Sequence, residues 1–242
     1  MSIPKTIHYC WFGGGTIPQK YQSFIDEWKN ICPDYQIIKW TERNYDVNSV
    51  AFTKEAAEQN QWAFIADYAR FDIVHTYGGV YLDVDVQLRR NYDAFLHEKS
   101  FFGIEKDYDR HLYVAPGLGF GAEKDSVILR ELLDIYKDMH FDSKEIVASP
   151  ILYNNFFEKK GFVQKNRVQS LDFGTIFPTE YFDSMDCFGK IKITKNTVST
   201  HHYAALWQDK NTSSLLYKRC VYYFGRYTGD YVYQILKRLK RK

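Results

Sequence analysis

The chain has 242 residues, is 45% hydrophobic and 18% aromatic, and carries a formal net charge of +2. That is enough apolar material for one sizeable core, while no apolar run approaches the roughly 20 residues of a membrane span and the first residues do not read as a signal peptide. Four cysteines (Cys10, Cys32, Cys187 and Cys220) lack C-x-x-C spacing, so we expect free thiols in a reducing compartment and neither a disulfide framework nor a zinc site.

In chain order, residues 5–11 read as a first strand. Residues 18–31 place Tyr21, Phe24, Ile25 and Trp28 at i, i+3, i+4 and i+7 with Pro18 near the start, which predicts an amphipathic helix. Residues 35–40 read as a second strand and 51–60 as a short helix. The Ala-rich stretch 62–74 reads as a further helix, ended by Gly78-Gly79. Residues 80–88 (Val-Tyr-Leu-Asp-Val-Asp-Val-Gln-Leu) read as a third strand. Further strands are expected at 101–104 and 117–122, with helices at 126–139 and 150–159. Strand, helix, strand, helix, strand is the order of a parallel α/β sheet.

Chemistry concentrates in the third strand. Side chains alternate along a strand, so Tyr81, Asp83, Asp85 and Gln87 are expected on one face, opposite Val80, Leu82, Val84 and Val86. Two carboxylates two residues apart repel each other, and as hard oxygen donors they suit Mg²⁺ or Mn²⁺ shared with a phosphate. A wet polar strand face is the plain alternative. Upstream, Asp67 and Arg70 stand at i and i+3 on one helix face. An Arg beside paired carboxylates suits holding a phosphate or neutralising a leaving group, and a surface ion pair is the competing reading. In open α/β sheets ligands lie beyond the carboxyl ends of strands. Trp11 follows the first strand there, ahead of Gly13-Gly14-Gly15, and is placed to stack on a nucleobase.

Ala66-Asp67-Tyr68-Ala69-Arg70, followed by Tyr77-Gly78-Gly79-Val80-Tyr81-Leu82-Asp83-Val84-Asp85, resembles glycosyltransferase family 32. Residues 3–14, with Trp11, resemble its opening strand and loop. His201-His202-Tyr203-Ala204-Ala205-Leu206-Trp207 resembles the late His-rich motif of its bacterial members. The family includes bacterial capsule and lipopolysaccharide transferases and fungal mannosyltransferases, and it looks like the glucosylating domains of large clostridial toxins. Residues 100–195 carry no matching motif.

The resemblance implies a Rossmann-like nucleotide-diphospho-sugar transferase domain (GT-A type) over residues 1–216, with a mostly parallel central sheet. It implies Asp67, Arg70, Asp83 and Asp85 as catalytic residues, and donor contacts from Trp11, Tyr81 and Trp207. It implies Mn²⁺ or Mg²⁺ on Asp83, Asp85 and a late histidine, His202 preferred over His201. The expected reaction moves a hexose, with retained configuration, from a nucleotide sugar (UDP-hexose, with GDP-hexose as the alternative) to a surface polysaccharide or lipid-linked oligosaccharide of a bacterium. A glycan-binding protein without catalysis and a metal-dependent phosphohydrolase are the rival readings; the second would need more clustered carboxylates. Ala115 to Glu123 and residues 150–185 are the expected acceptor region.

Residues 217–242 contain eight Lys or Arg and one acidic residue, a charge of +7, so the first 216 residues carry −5. Val232, Ile235, Leu236 and Leu239 recur at helical spacing, which predicts a basic amphipathic C-terminal helix suited to an anionic membrane surface. The expected location is the cytoplasm, peripheral at the inner face of the cell membrane. With an acidic body and a basic patch only at the end, nucleic acid is not an expected partner.

Overall fold

The structure is a computed structural model that describes residues 2–107, 111–143, 149–186 and 189–203. The predicted elements up to residue 77 form within three residues of expectation: β1 (Thr6–Cys10), α1 (Gln19–Ile31), β2 (Gln36–Trp40), α2 (Ala51–Glu58) and α3 (Trp62–Tyr77). There follow β3 (Gly79–Tyr81), β4 (Val86–Leu88), β5 (Ser100–Lys106), β6 (Leu112–Val114), β7 (Phe120–Ala122) and α4 (Val127–Asp134). The remainder is α5 (Ser149–Lys159), β8 (Gln169–Leu171), β9 (Gly174–Phe177), α6 (Thr179–Phe182) and β10 (Ser199–His201).

The main sheet runs β2-β1-β3-β7-β5-β9-β8, with β6 paired to β5. The strands β2, β1, β3, β5 and β9 point one way, and β7 and β8 run against them. The sheet is therefore mostly parallel, as expected. Helices cover both faces. On one side α1 seats Ile25 and Trp28 against Ile7, Tyr9, Val80 and Leu82. On the other, α3 packs Ile65, Ala69 and Phe71 into a core with Tyr81, Phe102 and Phe120. Alternation along each strand sends Val80 to the first layer and Tyr81 to the second.

The one long strand predicted for residues 80–88 does not form. The ladder with β1 ends after Tyr81, and the Val86 amide bonds back to the Asp83 carbonyl at 3.0 Å, closing a turn across Asp83-Val84-Asp85-Val86. β4 then leaves the main sheet and pairs antiparallel with β10. The Trp28 indole of α1 donates to the Val86 carbonyl at 2.9 Å and fixes the exit from the turn.

The entry to the turn is equally constrained. Gly79 has φ +117°, and a Cβ there would lie 2.7 Å from the Thr6 carbonyl oxygen and 3.0 Å from His8 Nε2. His8 itself is fully buried. Trp40 Nε1–H donates to its Nδ1 at 3.1 Å, so Nε2 carries the proton donated to the Gly78 carbonyl at 2.9 Å. Both ring nitrogens are thus committed in the neutral form, and burial lowers the pKa to about 4.

The expected C-terminal helix, residues 217–242 and the boundary at 216 lie outside the described residues. Among the described residues no helix is long and apolar enough to cross a membrane.

The folded pKa of His8 is below the unfolded one, so the unfolded chain takes up the proton first. Stability from the neutral ring is complete above about pH 6.5 and is lost as pH falls towards 4, roughly 3 kcal/mol in all. The His8 ring protons should titrate in NMR near pH 4; a midpoint near the ordinary histidine value would contradict this packing.

Candidate functional site

Three chain segments converge beyond the carboxyl end of β3. The last helix before it contributes Asp67 and Arg70, the turn contributes Asp83 and Asp85, and β10 contributes His201. Arg70 occupies the centre. It is 5% exposed, and its Nη2 lies 2.7 Å from Asp67 Oδ1 and 3.6 Å from Asp83 Oδ1. Its Nε donates to the Ala66 carbonyl at 3.1 Å, and its guanidinium lies 5.3 Å from the centre of the Tyr81 ring. A guanidinium engaged on so many sides is a strut between α3 and the turn. Its contacts bear out the ion pair with Asp67 that the spacing also offered. The planar fork of Arg allows this bridging, which the single ammonium of Lys cannot reproduce.

Burial raises the Asp67 carboxyl to about 6 against the pull of Arg70. Burial also raises Asp83, again opposed by Arg70 and reinforced by Asp85. One buried cation therefore serves two carboxylates that would otherwise be costly to ionise.

Asp83, Asp85 and His201 each offer one ligand atom, all within 4.8 Å of one another. His201 Nε2 stands 3.2 Å from Asp85 Oδ1. Burial opposes a charged His201, yet Asp85 and Asp83 outweigh it and lift its pKa to about 9. The carboxylate pair thus draws a positive charge onto the imidazole. A set of two carboxylate oxygens and one imidazole nitrogen, converging on one point with unbalanced negative charge, fits a divalent ion such as Mn²⁺ or Mg²⁺.

His202, preferred as ligand from the sequence, is not part of this group. It stacks on Phe24 with ring centres 4.8 Å apart, and its Nε2 lies 3.2 Å from Gln87 Oε1. The register of β10 on β4, His201 opposite Val86, makes the choice. Shifting a strand by one residue exchanges its faces, and adjacent histidines carry no sequence signal for which face is inward.

Tyr81, expected to face a ligand, is 1% exposed and belongs to the core, its ring 5.9 Å from Phe120. The early end of the strand turns it inward because the ladder continues to Tyr81 and breaks only afterwards. Trp11 stands just past β1, where its indole donates to the Gly15 carbonyl at 2.6 Å and holds the glycine loop closed on itself. Trp62 lies against this loop; a Cβ on Gly13 would meet its indole at 2.6 Å. Trp207 lies outside the described residues.

The sequence also missed Gly117. It sits in the turn Pro116–Leu118, and a Cβ there would lie 2.7 Å from Asp83 Oδ2. The expected acceptor stretch 115–123 therefore runs along the acidic turn. Part of the other expected stretch lines a cleft of about 510 Å³ with Asn166, Thr179, Glu180 and Asp183.

Comparison with known proteins bears on this geometry. Residues 18–102, which include α1, Asp67, Arg70 and both turn carboxylates, match the family described as glycosyltransferase sugar-binding region containing DXD motif. Over these residues, about a third of its length, the chain is similar to the sugar-binding region of the DXD glycosyltransferases. Inositol phosphoceramide mannosyltransferase 3 of Schizosaccharomyces pombe is 30% identical over 100 residues, 40% of this chain and 28% of that protein. Mannosyl phosphorylinositol ceramide synthase SUR1 of Saccharomyces cerevisiae is 31% identical over 119 residues, 43% of this chain and 30% of its own length. The chain thus spans less than a third of either relative. The solved PaToxG glycosyltransferase superposes with a TM-score of 0.50 at 16% identity, covering 66% of this chain and 70% of that one, and shares the GT-A fold.

Arg70→Ala leaves the partly buried Asp67 and Asp83 without their cation and is expected to cost about 3 kcal/mol in urea unfolding, the low end for a buried pair. Adding Asp67→Asn should recover part of that loss. A cost under about 1 kcal/mol would show that the strut does not hold the turn.

Proposed function

We propose that this glycosyltransferase moves a hexose from a nucleoside diphosphate sugar to a glycan or lipid-linked acceptor, with a divalent ion held by Asp83, Asp85 and His201. The observation that carries this reading is the convergence of those three side chains, within 4.8 Å, in a segment that matches the DXD family. When bound, the ion supplies Lewis-acid stabilisation to the departing diphosphate.

The chain's own residues do the rest. Arg70 holds Asp83 at one end of the turn, and the β4–β10 ladder holds His201 at the other. Trp11, at the end of β1, is our assignment for packing on the donor base. Asp67 keeps Arg70 aimed, and its own raised pKa follows from its partial burial. No side chain among these is a free nucleophile aimed at a sugar carbon. That argues against a double displacement; retained configuration, by attack from the leaving-group side, is the reading the family resemblance supports. The cleft of about 510 Å³ at the carboxyl ends of β5 and β9 is our assignment for the acceptor, on the half of the sheet opposite the donor strands. The donor is a UDP-hexose or a GDP-hexose, and the mannosyltransferase relatives support mannose as the sugar. The +7 charge of residues 217–242 supports an anionic membrane surface, at the inner face of the cell membrane, as the place where the acceptor is met.

Two measurements test this. Release of nucleoside diphosphate should occur with one sugar nucleotide of a UDP and GDP panel in Mn²⁺ and stop with chelator; no turnover and no metal-dependent binding of any donor would overturn the reading. His201→Ala should weaken Mn²⁺ binding at least tenfold and His202→Ala less than threefold, by titration calorimetry. The reverse order would move the ligand to His202.

Gly117→Ala places a methyl against Asp83 and should also weaken Mn²⁺ binding about tenfold with little change in thermal midpoint. Unchanged Mn²⁺ affinity would mean that Asp83 has room to move.

A further inference from the structure

A histidine that ligates a metal ordinarily donates its second ring N–H to a carboxylate or carbonyl, which fixes the ring's orientation. His201 has no such bond: its Nδ1 is buried and without a hydrogen-bond partner among the described residues. Its ring is instead packed edge-on by Tyr203, with centres 4.4 Å apart and planes at 75°. Tyr203 is itself held in an unusual conformation. Its φ is +47°, left-handed backbone that a bulky side chain avoids. The cost is met by its phenol, which donates to Asp183 Oδ1 at 2.5 Å.

Asp183 is rooted in the main sheet. Its other oxygen accepts the backbone N–H of Lys106, the last residue of β5, at 3.1 Å, and its backbone bridges Thr200 on the free edge of β10. The neighbouring Ser184 hydroxyl bonds the Thr200 hydroxyl at 2.7 Å. This attachment matters because β4 and β10 form a sheet of their own, with no ladder to the main one.

We propose that Asp183 and Tyr203 are a positioning pair: Asp183 anchors the Tyr203 phenol to the end of β5, and the Tyr203 ring holds the His201 imidazole on Asp83 and Asp85. The pair does the work that a hydrogen bond to the second ring nitrogen does elsewhere. It rests on the metal reading above, and it places two residues in the site that neither the family match nor the D-x-D spacing contains.

The test uses the full chain with Mn²⁺ as probe. Tyr203→Leu should weaken Mn²⁺ binding at least tenfold. Tyr203→Phe and Asp183→Ala, which lose the phenol bond but keep the His201 imidazole, should weaken it about threefold to tenfold. Asp183→Asn, whose single amide oxygen can accept from the phenol or from the Lys106 N–H but not both, should fall between Asp183→Ala and the parent. A merely structural pair would lower the thermal midpoint in all four variants without this ordering of affinities. Wild-type Mn²⁺ affinity in Tyr203→Phe and Asp183→Ala would overturn the proposal, whether or not Tyr203→Leu folds. The His201 ring protons supply a readout independent of metal: the Tyr203 ring current should displace them from ordinary histidine shifts in NMR, and Tyr203→Phe should move them. If the parent binds no Mn²⁺, the metal reading fails while the ring shift still decides the pair; absence of that shift sinks the pairing alone.

Discussion

A single buried guanidinium holds this site together. Arg70 reaches from α3 to the acidic turn and is bonded to Asp67 and Asp83, with the Tyr81 ring beneath it. Without that charge, two partly buried carboxylates would lean further towards their protonated forms, as the raised Asp67 and Asp83 pKa values indicate. With it, α3 and the turn are one rigid unit. A buried ion pair adds little stability beyond a well-packed apolar substitute, but removing one member is severe. What it fixes here is the position of Asp83.

The backbone around that strut is constrained at both ends. Before β3, the neutral His8 ring bonds the Gly78 carbonyl, and Gly79 comes so close to β1 that no side chain fits. After the turn, Trp28 grips the Val86 carbonyl from the far side of the sheet. The turn is therefore set by contacts from both helical layers, and Asp83 and Asp85 are brought towards one point although strand alternation does not persist between them. Gly117 leaves the space into which Asp83 fits.

The mixed direction of the sheet divides the molecule's labour. The parallel strands β2, β1 and β3 end at Trp11 and the acidic turn. The antiparallel β7 separates them from β5 and β9, whose ends open on the polar cleft. In the small sheet between, β10 is tied to β4 by its ladder and to the end of β5 through Asp183. The donor and acceptor regions proposed above would then share one rim of the sheet while resting on different strands.

Local patterning determined the early elements. The Tyr21, Phe24, Ile25 and Trp28 stripe specifies α1, the Ala-rich run specifies α3, and Gly78-Gly79 ends it, because helical period and glycine punctuation are properties of neighbouring residues. The identities of Asp67, Arg70, Asp83 and Asp85 were legible for the same reason: they fall within one short, matched segment. Their arrangement was not. Alternation predicted one strand through Asp85 with Tyr81 facing outward, and the structure ends that strand at Tyr81 because pairing with β1 stops and a turn closes. The late histidine, the latch of Tyr203 on Asp183 and the gap at Gly117 each join residues more than fifteen positions apart, through strand register and close packing. Those are decided by which long-range pairing the core permits, and a one-residue change of register exchanges His201 for His202 without altering a letter of the sequence.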